Sequence, residues 1–174
     1  MALELPLTGV EGSISDSELI VTKTDLRGCI TYANNVFIRI SGYPEAELLG
    51  QPHNCIRHPH MPRAVFRLLW DTIHTGNEFF GYVMNLSKNG DHYWVFAHVT
   101  PNFDSSRAII GYHSSRRIAR RKAIDAVVPI YQRLLEEEQR YETKEQGLKS
   151  SMDMLHDFIK RCGSDTYTRF VLSL

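Results

Sequence analysis

The chain has 174 residues, 43% hydrophobic and 23% charged, which suffices for one substantial core plus a helical appendage. Twenty basic residues balance twenty acidic ones, so no net field draws the chain to nucleic acid or an anionic membrane. Three scattered cysteines (Cys29, Cys55, Cys162), none in a C-x-x-C pair, exclude a disulfide framework and fit a reducing compartment.

The amino terminus carries Glu4 and Glu11 and lacks a basic stretch followed by an apolar run. No later stretch is apolar for the roughly 18 residues a membrane helix needs, so a cytoplasmic protein is expected. Residues 1–17 read as an N-terminal segment. Glu18–Thr22 and Cys29–Ala33 are β-prone runs joined by a tight polar turn ending at Gly28. Asn34 offers a capping oxygen to a short helix bearing Phe37 and Ile40, and Ser41-Gly42 supplies its stop. Pro44 suits the first turn of another short helix, with Glu45 and Glu47 near its positive end and Gly50 just past it.

From Pro62, Phe66, Leu69, Trp70 and Ile73 recur at helical spacing until Gly76, which predicts the one long helix of the domain. Phe79–Ser87 and His92–Thr100 flank Lys88-Asn89-Gly90-Asp91, a hairpin signal, and Ala108–Ser114 is a third β-rich run. Two strands, helices, then three strands predict an α+β domain over 18–115, a five-stranded antiparallel sheet with helices on one face. The remaining 116–174 read as a helical signalling or dimerisation extension. Its first stripe is Ile124, Val127, Val128, Tyr131, Leu134 and Leu135, with Pro129 expected to kink or break the helix. A second stripe, Leu148, Met152, Leu155 and Ile159, ends near Cys162-Gly163, and the two pieces suit a helical hairpin or an interface. Arg116, Arg117, Arg120, Arg121 and Lys122 read as a solvated helix start, offset by the Glu136-Glu137-Glu138 run.

The densest chemistry lies between Gln51 and Pro62, where His53, Cys55, Arg57, His58 and His60 crowd one loop held between helices. Taken alone this is a proline-stiffened loop with solvated histidines. The spacing matches no zinc pattern, and Arg57 in its midst disfavours a cation. No nucleophile stands in motif spacing with a base and no Gly-rich phosphate loop occurs, so neither a catalytic residue nor an enzyme is expected.

Gly42-Tyr43, Gly50-Gln51-Pro52-His53-Asn54, Arg57-His58-Pro59, Met61-Pro62, Phe66, Trp70 and Lys88-Asn89-Gly90-Asp91-His92-Tyr93-Trp94 resemble the FAD-binding PAS domain of bacterial aerotaxis receptors. The resemblance runs from about Asp25 to Ser115. It implies a half-barrel sheet and helices around an FAD ring, a redox or oxygen sensor for energy taxis. It places Asn34, Arg57, His58 and Trp70 around the cofactor with Phe66 and Asn85 near it, and His53 and His60 of the same loop complete the expected cofactor-binding set. The chain departs from that pattern at His60, where an acidic residue is usual, at Phe79, where Trp is common, and at Leu86-Ser87 after Asn85, where the pattern is basic.

No receptor module follows the domain, so the output is expected to pass to a methyl-accepting chemotaxis-type receptor or other signalling protein, or across a homodimer. Three alternatives compete. One is a heme-binding PAS gas sensor using the loop histidines, and another is a cofactor-free PAS interaction module. The third is a LOV-type photoreceptor through Cys55, although the Arg-Phe-Leu-Gln run of that family is absent.

Overall fold

The computed structural model describes residues 6–164 and 166–174; Glu4 and the rest of residues 1–5 lie outside them. Five strands, β1 (Ile20–Thr24), β2 (Ile30–Ala33), β3 (Phe79–Leu86), β4 (His92–Phe103) and β5 (Ile109–Ile118), form one antiparallel sheet in the order β2-β1-β5-β4-β3. Between β2 and β3 lie α1 (Asn35–Ser41), α2 (Glu45–Leu48), a 3₁₀ turn at His53–Ile56 and α3 (Arg63–His74). The extension contributes α4 (Arg121–Gln139), α5 (Lys144–Arg161) and α6 (Tyr167–Leu172). The predicted fold class is thus the observed one.

Local chemistry accounts for the helix ends. Asn34 accepts from the Phe37 amide at 3.0 Å, and Gly42 ends α1 in the left-handed region. The N-cap of α3 is Pro62, which offers no side-chain cap. Its first amides turn instead to Glu138 of α4, whose carboxylate accepts from Ala64 N at 2.9 Å and Arg63 N at 3.0 Å.

Two expectations are corrected. The boundary at 115/116 falls inside β5, which continues to Ile118 because β4 pairs with it as far as Val95↔Ile118 and β1 meets it at Ile20↔Arg116. A central strand takes its length from partners on both sides, which a local run of charge conceals. Of the kink or break expected at Pro129, the break does not occur, since α4 runs as one helix from Arg121 to Gln139. Pro129 and Asp125 are both exposed, so the carbonyl deprived of its donor meets water.

α4 and α5 pair as a helical hairpin. Val127, Leu134, Leu155 and Ile159 of their stripes are buried in the same core as Val65 and Phe79. Tyr131 donates to the Tyr82 carbonyl at 2.8 Å, and its ring stacks near Trp94. The Met84 amide points at the Met61 sulfur, and Arg57 meets Asn85 in an isolated bridge. Edge strand β3 thus has outward backbone groups at Tyr82, Met84 and Asn85 met by elements that are not strands.

Candidate functional site

A cavity of about 520 Å³ lies between α3 and the inner face of the sheet. That volume falls within the usual range for small-molecule sites. α3 turns Phe66, Leu69, Trp70 and Ile73 into it, the three- and four-residue spacing of one helix face. The sheet contributes alternate residues: Thr22 and Thr24 of β1, Val83 and Asn85 of β3, Ala97 and Val99 of β4, and Tyr112, Ser114 and Arg116 of β5. The 3₁₀ turn and the loop after it add His53, Ile56 and Arg57. Gly28 permits the close approach of Trp70, since a Cβ there would sit 2.8 Å from the indole.

The floor is polar and incompletely satisfied. Arg116 is 5% exposed, yet no carboxylate pairs with it among the described residues. One of its terminal nitrogens donates to Thr22 Oγ1 at 2.8 Å and to His53 Nε2 at 2.5 Å; the other, Nη1, has no partner. Asn85 Nδ2 and Ser114 Oγ are likewise buried without partners, and the Tyr93 hydroxyl lies beside Asn85 outside bonding geometry. Unmatched buried donors are uncommon because each costs roughly 1–3 kcal/mol. Three of them on the wall of one cavity describe a site built for acceptor atoms.

Burial pulls the Arg116 guanidinium down to about 10, which leaves it cationic at neutral pH. Burial and the neighbouring Arg116 charge push His53 down to about 3, so its ring stays neutral. Because arginine only donates, His53 Nε2 must accept and the ring proton belongs on Nδ1. Nearer the mouth, the Arg57 guanidinium lies 4.2 Å over the Phe66 ring and donates to the Met61 carbonyl at 3.2 Å. Burial lowers its pKa as well. The arrangement suits a flat ligand, with aromatic walls for its faces and a cationic, donor-rich floor for an edge that carries or gains negative charge.

Of the residues expected from sequence, His53, Arg57, Phe66, Trp70 and Asn85 stand on the wall. Asn34, His58 and His60 do not. Asn34 spends its polar atoms locally, accepting from Val21 N and Phe37 N and donating to the Leu19 carbonyl. His58 turns away to a surface groove against α4, where its ring meets His60 and His92 edge-on at 4.8 and 5.8 Å. Its Nδ1 accepts from the His60 amide, and burial first, then the neighbouring histidines, push its pKa down to about 4.

Sequence reasoning missed Arg116, Ser114, Tyr112 and Thr22. The period-two alternation Tyr112, Ser114, Arg116 carried the signal, had the strand been extended past Ser114. It also missed Leu148, which α5 supplies to the same cavity.

A family model described as PAS fold matches residues 30–116, half of the chain. The chain is 45% identical over 121 residues to the aerotaxis receptor of Escherichia coli (strain K12), an alignment covering 70% of this chain and 24% of that protein. It thus spans about a quarter of that relative's length. Among solved structures, the PAS domain of a protein from Colwellia psychrerythraea aligns with a TM-score of 0.54 at 21% identity, covering 58% of this chain and 86% of that one. A Light-Oxygen-Voltage domain studied with a flavin analogue aligns at 0.59 and 16% identity, covering 72% and 90%.

Proposed function

This chain belongs to the PAS-fold family, and we propose that its cavity holds a flavin, FAD, whose redox state it senses and reports to a signalling partner of the chemotaxis-receptor type. The observation that carries this reading is the floor: a buried Arg116 with an unused N–H, beside the unused donors of Asn85 and Ser114, beneath a slot walled by Phe66 and Trp70. A flavin supplies a flat ring with an acceptor-rich edge that gains electron density on reduction. Arg116 and Asn85 donate to that edge, neutral His53 orients Arg116, and Phe66 and Trp70 enclose the faces and exclude water. Arg57, nearer the mouth, meets the anionic part of the cofactor. Kinship with an aerotaxis receptor at 45% identity supports the sensing role.

Heme is less well supported. The one histidine lining the cavity among the described residues is His53, and its Nε2 is turned to Arg116 rather than free for iron. A cofactor-free module leaves the unmatched donors of the floor without a purpose. The test is extraction and chromatography of the purified protein with an absorption spectrum before and after a mild reductant. Two near-ultraviolet and blue bands that bleach, with FAD in the extract, support the proposal. Protein that stays colourless after incubation with FAD, or that shows an intense Soret band, overturns it.

A further inference from the structure

The Glu136-Glu137-Glu138 run has the composition of a solvated face, yet Glu138 is 4% exposed and holds four donors. Its carboxylate accepts from Arg63 N, Arg63 Nε, Ala64 N and Ser151 Oγ, all between 2.9 and 3.1 Å. Three of these donors belong to the first turn of α3 and one to α5. Glu138 thus caps the helix that forms a wall of the cavity, and it does so from outside the matched PAS region. Glu137, 7% exposed, accepts from Ser150 in parallel, so two consecutive glutamates of α4 are tied to two consecutive serines of α5. The clasp is close. A Cβ on Gly147 would lie 2.4 Å from the Glu138 carbonyl oxygen, so only glycine lets the two backbones approach this far.

One residue beyond Gly147 is Leu148, which faces the cavity. The first two turns of α5 therefore hold both halves of a lid: a wall residue for the ligand and a fastening to the helix that grips it.

We propose that the α4–α5 hairpin is a docked lid of the ligand cavity, that Leu148 contacts the bound flavin, and that Glu138 is the latch positioning both the hairpin and α3. This rests on the flavin reading of the cavity. The consequence is reciprocal: flavin in the cavity stabilises the docked hairpin, and the docked hairpin tightens flavin by the same factor. A redox change that alters contacts along α3 then reaches the hairpin through the Glu138 clasp, provided the two redox states differ in those contacts.

The test uses the full chain stripped of cofactor and titrated with FAD, together with amide hydrogen exchange of the wild-type protein with and without FAD. Leu148→Ala and Glu138→Gln are each expected to bind FAD about tenfold more weakly than wild type. The α5 amides of the wild-type protein are expected to exchange more slowly when FAD is bound. The exchange measurement needs no variant, so the inference stays testable if Glu138→Gln fails to fold. FAD binding that is unchanged in Leu148→Ala, together with α5 exchange indifferent to FAD, overturns the lid while leaving the flavin reading standing. Wild-type protein that binds no FAD overturns both.

Discussion

Arg116 donates to His53 Nε2 at 2.5 Å, a contact that joins β5 to the 3₁₀ turn and leaves a buried guanidinium facing an uncharged partner. Such an arginine is costly to the folded chain until an anion or an acceptor-rich edge arrives. Arg116→Met is therefore expected to stabilise the cofactor-free protein by about 1–3 kcal/mol while abolishing flavin retention. Thr22 and His53 keep their own 3.1 Å bond in the variant. Denaturant melts of stripped protein alongside flavin titration check the pair of effects. A variant that is both less stable and fully loaded with flavin refutes the assignment.

The second prediction separates residues on the wall from those beside it. Arg57→Ala and Trp70→Ala should release flavin, since one removes a donor near the mouth and the other a face of the slot. Asn34→Ser should retain it, because a serine still caps α1 and Asn34 has no place on the wall. Asn34→Ala should lower stability by about 1 kcal/mol through the lost cap. Flavin stoichiometry after gel filtration distinguishes the classes.

Acid sensitivity follows from two histidines held neutral. The folded-state values, about 3 for His53 and about 4 for His58, lie below the unfolded value of 6.5. Below pH 6.5 the unfolded chain takes up protons that the folded chain refuses, so stability is full above that pH and falls as pH drops toward 4. Each contributes a loss of about 2 kcal/mol at pH 5. Equilibrium unfolding of stripped protein at pH 7, 6 and 5 should show the decline, and His58→Asn should remove part of it. A flat profile across that window counts against both assignments.

The fourth prediction concerns Gly147. In an ordinary helix interior, alanine is favoured over glycine by roughly 1 kcal/mol. Here the methyl group meets the Glu138 carbonyl, so Gly147→Ala should instead destabilise by about 1–3 kcal/mol and lower the melting temperature. A melting temperature at or above wild type means the hairpin is looser than its clasp implies.

These cases show where sequence was readable. Strand and helix order came through because alternation and helical spacing are local: Asn34 and Gly42 bracket α1, and Asn89-Gly90 marks the β3–β4 turn. The aromatic wall was legible for the same reason, with Phe66 and Trp70 one turn apart. What stayed hidden was set by distant partners. Arg116 looks like the start of a charged helix until β1 and β4 hold it in a strand. Glu138 looks solvated until α3, whose Pro62 cannot cap it, turns its free amides toward a carboxylate 74 residues away. His58 sits one residue from Arg57, yet its ring serves a different face of the molecule.

The covering of β3 carries a further consequence, for solubility. Three positions of its outward backbone are met by a tyrosine hydroxyl, a thioether and one bridging residue rather than by another strand. These partners arrive from elements that are not strands, and Tyr131 arrives on a helix that ends at the Glu138 clasp. A molecule whose α4 lifts away bares the Tyr82 carbonyl and its neighbours as a template on which a second chain adds a strand. Protection against self-association along this edge therefore comes from the loop bearing Arg57 and Met61 and from α4 rather than from the strand's own side chains, and loosening α4 is expected to favour aggregation of partly unfolded chains.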